Sequence, residues 1–366
     1  MDKMMKAIVW NGKPWFEGLS YEDFPVPEYG GDWVLVRNNV CGICGSDLHF
    51  FSGMQDGRFP AKNLPAVFGH EDASTVVAAD PATGFKAGDR VAVEAIHSCV
   101  NFGGSCPRCM SGQFHMCDEG MTHIGLPYVR MLPGGYGEYS AVHKDKLHKI
   151  PDNVSLDEAA LLDILVVNVH AVRLGDPQLG ECCVVYGCGV VGLSMIQVLY
   201  AKGIRNLIAI AKYPYQAEIA KKCGAAHVVL YKNKEQVVQD VMALTRGNGA
   251  DQTYECVGGS SGAINDAAAF TTRQGKIVMM GIFAGVPETD LNTLFMKEIS
   301  LIASNSYGMS GYRDEFAIAL EMLAYKQVDH NLLISHRFKP EQYVEAIEAA
   351  RGKDKSGAVK VLFERD

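Results

Sequence analysis

The chain has 366 residues, of which 48% are hydrophobic and 21% are charged, which is typical of a globular protein long enough for two domains. Its net charge of −8 argues against a nucleic-acid partner, because such a partner favours a basic surface. No apolar run reaches the roughly 18 residues of a membrane-spanning helix, so no membrane partner is expected.

The first residues, MDKMMKAIVWNGKPW, lack the apolar core of an export signal, so a cytoplasmic protein is expected. The sequence contains 11 cysteines. In a reducing compartment, clustered cysteines indicate metal ligands rather than disulfides. Among the other cysteines, Cys182, Cys183, Cys223 and Cys256 are expected to be small buried residues.

The part of the chain up to about residue 160 is predicted to be β-rich, since VLVRNNV (34–40) and DRVAVEAI (89–96) are apolar and β-branched and Gly and Pro separate such segments. Two loops in this part carry metal-binding side chains. Cys44 is followed by Ser46 and His49, and His70 and Glu71 come later.

A catalytic zinc keeps three protein ligands and one open position, and one Cys, one His and one carboxylate suit such a site. We therefore predict zinc at Cys44, His70 and Glu71. Zinc there would lower the pKa of an alcohol. Ser46 is placed to take the alcohol proton, and His49 could pass that proton to solvent.

The next segment contains four cysteines within a short stretch: Cys99, Cys106, Cys109 and Cys117. Zinc binds four thiolates tetrahedrally in closed structural sites. Gly103, Gly104 and Gly112 supply the turns that such a lobe needs. We predict a structural zinc here, and redox-active cysteines are the alternative.

From about residue 163 the pattern changes to short apolar strands that alternate with amphipathic helices. Strand patterns such as CCVVY (182–186) and LIAIA (207–211) flank the helical pattern VGLSMIQVLYAKG (191–203). This alternation predicts a parallel, doubly wound sheet. The tail adds two helical patterns and the strand pattern AVKVLFE (358–364), and it could belong to either domain on pattern alone.

A glycine-rich turn joins the first of these strands to its helix. Glycines permit a tight turn and close approach of the backbone to a pyrophosphate, while the helix N-terminus presents free N–H groups to it. We predict that the turn binds a dinucleotide through Gly187, Gly189, Val190, Val191 and Gly192. The alternative is a glycine turn in an α/β domain that binds no nucleotide.

The end of the second strand indicates which dinucleotide is bound. An acidic residue at this point binds the ribose 2′-OH of NAD, whereas this sequence has Ala211 followed by Lys212. The missing carboxylate and the added cation favour a 2′-phosphate, so NADP is predicted over NAD. Alternatively, Lys212 is only a solvated lysine.

The chain resembles the zinc-containing medium-chain dehydrogenases, in the branch of the polyol (sorbitol-type), threonine and butanediol dehydrogenases. The matching segments extend over nearly the whole length: CGICGSDLH (41–49), GHE (69–71), the cysteine segment, GGYGEYSAV (134–142), the run ending at His170, VVYGCGVVGL (184–193) and YECVGG (254–259). The fold class implied is α/β, with a GroES-like β-rich catalytic domain and a Rossmann domain.

The resemblance implies residues 1–162 as the catalytic domain, 163–307 as the Rossmann domain, and 308–366 as a segment returning to the catalytic domain. It adds Asp163 as a zinc carboxylate, direct or water-linked, and Asp47 as a partner that orients a zinc ligand. Cys256 and Val257 are expected near the cofactor. A dimer or tetramer is a further expectation, and substrate-pocket residues are expected near Phe51, Tyr128 and 305–307.

Two departures from the family pattern concern the metal ligands. Six residues separate Cys99 from Cys106 where the family usually has two, so Cys99 is the least secure of the structural ligands. The polyol branch has Glu-Pro where this chain has Asp163-Ile164, and the threonine branch has Asp there. The shorter Asp163 weakens any assignment of the substrate.

We predict a zinc-dependent enzyme with two zincs per chain that transfers a hydride between a secondary alcohol and NAD(P). The small-molecule substrate would be a polyol, sugar acid or amino alcohol. One alternative is a zinc-free quinone or enoyl reductase of the same superfamily, which the full ligand set disfavours. The other is a non-catalytic cofactor-binding protein, which the intact proton-relay residues disfavour.

Overall fold

The computed structural model describes residues 3–53, 61–259, 261–283 and 285–365, and these form two compact units. Unit 1 comprises Met1–Asp163, Tyr307–Ala324 and Ile334–Asp366, and unit 2 comprises Ile164–Ser306 and Tyr325–Leu333. Most of the predicted returning segment 308–366 therefore belongs to unit 1, and Tyr325–Leu333 belongs to unit 2. The predicted domain bounds stay a prediction.

Unit 1 is rich in β-structure, as its alternating apolar sequence predicts. Its strands before residue 150 are β1 Met4–Trp10, β2 Leu19–Pro25, β3 Trp33–Gly42, β4 Ala66–Val67, β5 Glu71–Ala78, β6 Arg90–Val93, β7 Ile96–His97, β8 Thr122–His123, β9 Tyr139–His143 and β10 Leu147–Lys149. Its helices up to residue 160 are α1 Trp15–Gly18, α2 Gly45–Phe51, α3 Pro107–Met110 and α4 Leu156–Ala160.

Unit 2 alternates strands and helices. Its first helix begins at Leu162, two residues before the unit itself begins at Ile164. The strands are β11 Cys182–Tyr186, β12 Asn206–Ala211, β13 His227–Leu230, β14 Ala250–Glu255, β15 Thr271–Met279 and β16 Ser300–Ala303. The helices are α5 Leu162–Gly175, α6 Val190–Lys202, α7 Pro214–Lys222, α8 Lys234–Leu244, α9 Ala263–Phe270 and α10 Leu291–Lys297.

All six strands of unit 2 pair in parallel, in the order β13-β12-β11-β14-β15-β16. The strand order reverses beside β11, and such a reversal opens a crevice at the carboxyl ends of the strands. The glycine-rich turn follows β11 directly, so it lies at this crevice. The predicted doubly wound parallel sheet is confirmed.

The C-terminal part of the chain completes unit 1. Its elements are β17 Met309–Ser310, β18 Arg313–Asp314, α11 Glu315–Ala324, β19 Ile334–Phe338, α12 Tyr343–Arg351, α13 Lys353–Ser356 and β20 Lys360–Glu364. The main sheet has the order β10-β6-β5-β3-β20-β19, with β9 also beside β3. The strand β20 pairs antiparallel with β3, so that Leu362 lies opposite Gly42.

The main core of unit 1 is aromatic and buried. Trp10, Phe51, Phe68, Tyr136 and Phe363 are each at most 1% exposed and belong to one apolar cluster.

None of the helices in the described ranges has both the length and the apolar character that crossing a bilayer requires.

A charge network in unit 1 joins Glu94, which follows β6, to His148 in β10 and Asp314 in β18. Lys146 Nζ lies 2.6 Å from Glu94 Oε1, and His148 Nε2 lies 3.2 Å from Glu94 Oε2. Asp314 Oδ2 is 3.7 Å from the same His148 nitrogen. Burial alone would raise the pKa of Glu94, but Lys146 and His148 outweigh it and lower the pKa to about 2.

The Glu94→Gln variant is expected to lose about 3–5 kcal/mol of stability at pH 7, because Lys146 stays buried without its counter-charge. The folded pKa of Glu94 lies below the unfolded value of about 4.3, so this stabilisation is complete above that pH and is lost towards pH 2. Urea unfolding between pH 3 and pH 7 checks this, because the free energies of unfolding of wild type and variant should become more similar as the pH falls.

The matched control is Asp23→Asn, which removes an exposed pair with Lys6 and should cost less than about 1 kcal/mol at every pH. An equal loss of stability at pH 3 and pH 7 in Glu94→Gln would show that the ion pair is not what the substitution removes.

Candidate functional site

Three metal-binding side chains meet in unit 1. One ligand atom each from Cys44, His70 and Glu71 lies within 4.8 Å of the other two, and we name this group the Cys44 cluster. His70 and Glu71 are 3% and 1% exposed, and Cys44 is half-buried. Asp163 does not share this group, although it belongs to the same unit.

The loop predicted for residues 44–49 is wrong, because the short helix α2 begins immediately after Cys44 and contains Ser46, Asp47 and His49. Asp47 Oδ2 accepts a hydrogen bond from the Cys44 N–H at 3.0 Å and so caps the helix N-terminus. A helix of seven residues is too short to show a helical apolar period, which explains the wrong prediction.

Asp47 also organises the histidine of the Cys44 cluster. Its Oδ1 lies 3.4 Å from His70 Nδ1, and its Oδ2 accepts a hydrogen bond from the Tyr136 hydroxyl at 2.8 Å. Burial would lower the pKa of His70, but the charges of Asp47 and Cys44 outweigh burial and raise that pKa well above its ordinary value. The second ring nitrogen, Nε2, is directed away from Asp47 and lies 3.2 Å from Ser46 Oγ.

Each of the two predicted zinc carboxylates has a buried partner. Lys360 Nζ lies 2.5 Å from Glu71 Oε2 and also donates to the Ile43 carbonyl at 2.9 Å. The Tyr307 hydroxyl donates to Asp163 Oδ1 at 3.2 Å. Burial raises the pKa of Asp163 to about 6, although nearby His70 lowers it.

The predicted proton relay is only partly brought together. Ser46 is beside His70, but no hydrogen bond joins Ser46 to His49 in the part of the chain that the structure describes. His49 is half-buried, and burial together with the charge of Lys353 lowers its pKa. The relay stays a prediction.

Four thiols meet in a second cluster, which we name the cysteine lobe: Cys99, Cys106, Cys109 and Cys117. Their sulfur atoms all lie within 4.8 Å of one another, so the structure places Cys99 with the other three. The Cys106 N–H points to Cys99 Sγ at 3.4 Å, and the Cys109 N–H points to Cys106 Sγ at 3.5 Å. The Cys109 N–H helps to lower the pKa of Cys106 to about 7.

In the glycine-rich turn of unit 2, the backbone at Gly192 passes close to the backbone at Gly187. Gly187 has φ +102°, and a Cβ on Gly192 would lie 1.9 Å from the Gly187 carbonyl oxygen. Gly189 caps helix α6 with φ −70°, and a Cβ there would meet no atom within 4 Å. Val190 and Val191 form the first turn of α6, whose N–H groups are available to an anion.

The end of β12 is the predicted point of cofactor selection. Ala211 is the last residue of the strand and is fully buried, whereas the next residue, Lys212, is exposed. The Lys212 ammonium lies 5.4 Å from the centre of the Tyr213 ring, which stacks on Tyr215 at a centroid distance of 5.6 Å.

Cys256 and Val257, which the family resemblance places near the cofactor, follow β14 in unit 2. The fully buried Glu255 fixes their turn, since its Oε1 accepts from the Val257 and Gly258 N–H groups at 2.7 and 2.8 Å. The prediction that Cys256 is a buried residue is wrong, because Cys256 is only half-buried at this turn.

Sequence reasoning missed the side chains that support the site: Tyr136, Glu255, Tyr307 as a partner of Asp163, and Lys360. Tyr136 lies in a segment that the family resemblance had already marked. Lys360 gave a weaker signal as the single cation in the apolar strand pattern AVKVLFE.

The comparisons with known proteins agree with this architecture. Two family models match, the alcohol dehydrogenase GroES-like domain over residues 30–152 and the zinc-binding dehydrogenase over residues 190–325. The predicted pair of a GroES-like and a Rossmann domain is thereby confirmed.

Similar proteins cover nearly the whole chain. Sorbitol dehydrogenase of Bacillus subtilis (strain 168) is 30% identical over 347 residues, which cover 94% of this chain and 93% of the relative. D-xylulose reductase of Scheffersomyces stipitis is 31% identical over 362 residues, covering 95% and 96%. The crystal structure of 2R,3R-butanediol dehydrogenase from Bacillus subtilis matches with a TM-score of 0.82 at 28% identity, covering 99% of this chain and 100% of that one.

Two glycines of the turn, Gly189 and Gly192, differ in the space that surrounds them. Gly192→Ala is expected to cost about 1–3 kcal/mol or more, because its Cβ would meet the Gly187 carbonyl oxygen. Gly189→Ala has open space and should cost less than about 1 kcal/mol. Urea unfolding of both variants tests this, and equal losses would contradict the geometry.

Proposed function

The chain belongs to the zinc-containing medium-chain dehydrogenases, in their polyol branch, and from this we propose that it oxidises a secondary alcohol at a zinc held by Cys44 and His70. The predicted class of activity, NAD(P)-dependent oxidation of an alcohol or polyol, is confirmed by the family. The observation that carries the residue assignment is the Cys44 cluster beside the buried carboxylate of Asp47.

The side chains of the Cys44 cluster fit a zinc ion. Thiol, imidazole and carboxylate are the ligands that catalytic zinc sites use, and a half-buried position leaves room for a substrate. His70 Nε2 lies beside Ser46, while Asp47 faces the other ring nitrogen, as in metal-binding histidines. When bound, zinc supplies a Lewis acid that favours the deprotonated form of an alcohol.

The chain's own residues then orient the reactants and move the proton. Asp47 holds His70 in one ring orientation, so that Nε2 is the nitrogen offered to the metal. The Ser46 hydroxyl lies at the same place and is the group proposed to accept the alcohol proton. His49, whose pKa is lowered by burial, is proposed as the neutral acceptor that passes the proton outward.

The two carboxylates have different proposed roles. Glu71 is compensated at Oε2 by the buried cation of Lys360, so a metal ion would compete with that cation for the charge of this carboxylate. Asp163 faces a neutral hydroxyl from Tyr307 and keeps its negative charge for the metal.

We assign a second zinc to the cysteine lobe. Four sulfur atoms within 4.8 Å of one another suit tetrahedral coordination, and backbone N–H groups directed at the sulfurs stabilise thiolates. All eleven cysteines are free, which supports a reducing compartment, the cytoplasm, as the place where the protein works.

We propose that NADP is preferred over NAD. Ala211 offers no carboxylate to the ribose hydroxyls, and it does not repel a 2′-phosphate. Lys212 is exposed at the end of the same strand, where its charge is available to an anion. The glycine-rich turn and the first turn of α6, with Val190 and Val191, are assigned to the pyrophosphate, and Cys256 and Val257 to the side of the nicotinamide.

A polyol, sugar acid or amino alcohol is the proposed substrate class, and the names of sorbitol dehydrogenase and D-xylulose reductase are in line with a polyol. A panel of these compounds, each tested with NAD and NADP, would identify the substrate. Turnover with none of the panel would contradict the proposed class.

We also propose a homo-oligomer, formed through the edge of unit 2. Strand β16 is the last strand of its sheet, and Leu301 on it is 43% exposed. Phe295 and Met296 on the preceding helix are 79% and 68% exposed. A free strand edge flanked by exposed apolar side chains is the kind of surface that a second copy covers.

The Cys44→Ser variant is expected to carry one zinc per chain where the wild type carries two, because only the Cys44 cluster is altered. Turnover should fall to background while cofactor binding, measured by nicotinamide fluorescence, is retained. The matched control is Cys182→Ser, a buried strand cysteine outside both clusters, which should keep two zincs. Two zincs in Cys44→Ser would refute the proposed catalytic site.

The Lys212→Ala variant is expected to lose roughly 10–150-fold in affinity for NADP, which corresponds to one charge-assisted contact of about 1.5–3 kcal/mol. Its use of NAD should not change, and Ala211→Asp should shift kcat/KM towards NAD. Lys222→Ala, another exposed lysine of unit 2, is the control. If wild type uses NAD equally well and Lys212→Ala has no effect, Lys212 is a solvated surface residue.

A further inference from the structure

Tyr307 is a buried polar side chain of unit 1 whose hydroxyl contacts Asp163, one of the predicted zinc carboxylates. It is 1% exposed, and its ring lies 6.0 Å from that of Phe316. The sequence placed residues 305–307 near the substrate pocket, but the structure gives Tyr307 a specific partner. Its hydroxyl donates to Asp163 Oδ1 at 3.2 Å.

The hydrogen bond from Tyr307 occupies one carboxylate oxygen of Asp163, Oδ1. Tyr307 is the only side chain bonded to the Asp163 carboxylate among the residues that the structure describes. A tyrosine hydroxyl has one proton to donate, so it can hold Oδ1 and leave Oδ2 free. Glu71 differs, because a full positive charge from Lys360 competes there with any metal ion.

The reach of the Asp163 carboxylate depends on its orientation. Its side chain is one methylene shorter than that of a glutamate, so fewer rotamers bring an oxygen to a given point. Asp163 lies outside the 4.8 Å group formed by the Cys44 cluster, which makes its orientation decisive for whether it reaches the ion. A fixed carboxylate also avoids the entropy cost of being ordered when the ion binds.

We propose that Tyr307 is a positioning residue of the catalytic metal site, which fixes the Asp163 carboxylate through Oδ1 and keeps Oδ2 for the metal. The inference rests on the proposed function, because it assumes that Cys44 and His70 hold the ion. Tyr307 itself touches neither ion nor substrate in this role. It acts through Asp163, as hydrogen-bond partners of metal-binding carboxylates do.

The test replaces the hydroxyl and measures the metal rather than turnover alone. Tyr307→Phe keeps the ring packed on Phe316 and removes the bond to Asp163. Affinity of the catalytic site for Co²⁺, measured by titration of metal-depleted full-length protein, should fall roughly 10–100-fold. The visible Co²⁺ spectrum of Tyr307→Phe should differ from that of wild type in the same direction as the spectrum of Asp163→Asn does. The absorption bands of Co²⁺ bound to the cysteine lobe should be the same in all variants.

Two comparisons separate positioning from a purely structural role. Tyr254→Phe removes another buried tyrosine hydroxyl, which donates to Gln252 at 3.1 Å in unit 2, and should leave Co²⁺ affinity and spectrum unchanged. The double variant Tyr307→Phe/Asp163→Asn should bind Co²⁺ no more weakly than Asp163→Asn alone, because both substitutions remove the same contact.

Wild-type Co²⁺ affinity and spectrum in Tyr307→Phe would overturn this proposal and leave the proposed function standing. Additive losses in the double variant would also overturn it, since Tyr307 would then act independently of Asp163. Failure of the proposed function has a different signature, because Cys44→Ser would then keep its full metal content.

Discussion

The buried carboxylate of Asp47 is the contact on which the candidate site depends. It caps helix α2 through the Cys44 N–H, faces His70 Nδ1, and accepts a hydrogen bond from Tyr136. Because a carboxylate with no exposed surface is costly unless its oxygens are partnered, these contacts form together. Segments far apart in sequence are thereby held at one point, and the thiol and imidazole stand side by side.

The two thiol-containing clusters compensate negative charge in different ways. In the Cys44 cluster, a side-chain cation does so, since Lys360 reaches Glu71 from another strand. In the cysteine lobe, the backbone does so, through N–H groups of Cys106 and Cys109 directed at sulfur. A side-chain cation carries a full charge at the end of rotatable bonds, whereas a backbone N–H dipole is fixed by the chain. The first arrangement suits a reactive site and the second a closed structural one.

The sequence predicted what depends on local pattern and missed what depends on distant contacts. The parallel sheet of unit 2 was predictable, because each strand such as β11 or β12 carries its own apolar run between turns. Helix α2 was not, because its seven residues are fixed by the Asp47 cap rather than by periodicity. Glycine spacing indicated a tight turn at Gly187, but only the structure separates the steric need at Gly192 from the free space at Gly189.

The ligand sets were partly predictable for the same reason. Cys44 and His70 lie in short motifs, so their residue types alone suggested zinc. Lys360 and Tyr307 lie far along the chain from Glu71 and Asp163, and no local pattern connects each pair.

The position of β20 has a consequence for the order in which unit 1 is built. This strand lies between β3 and β19, inside the main sheet, and it carries the cation that compensates Glu71. The ion pair between Lys360 and Glu71 therefore cannot form until residue 360 has been synthesised, although Cys44 is synthesised far earlier. Until then Glu71 has no Lys360 to pair with. A chain truncated before β20 lacks both the strand that pairs with β3 and β19 and the buried cation of Lys360.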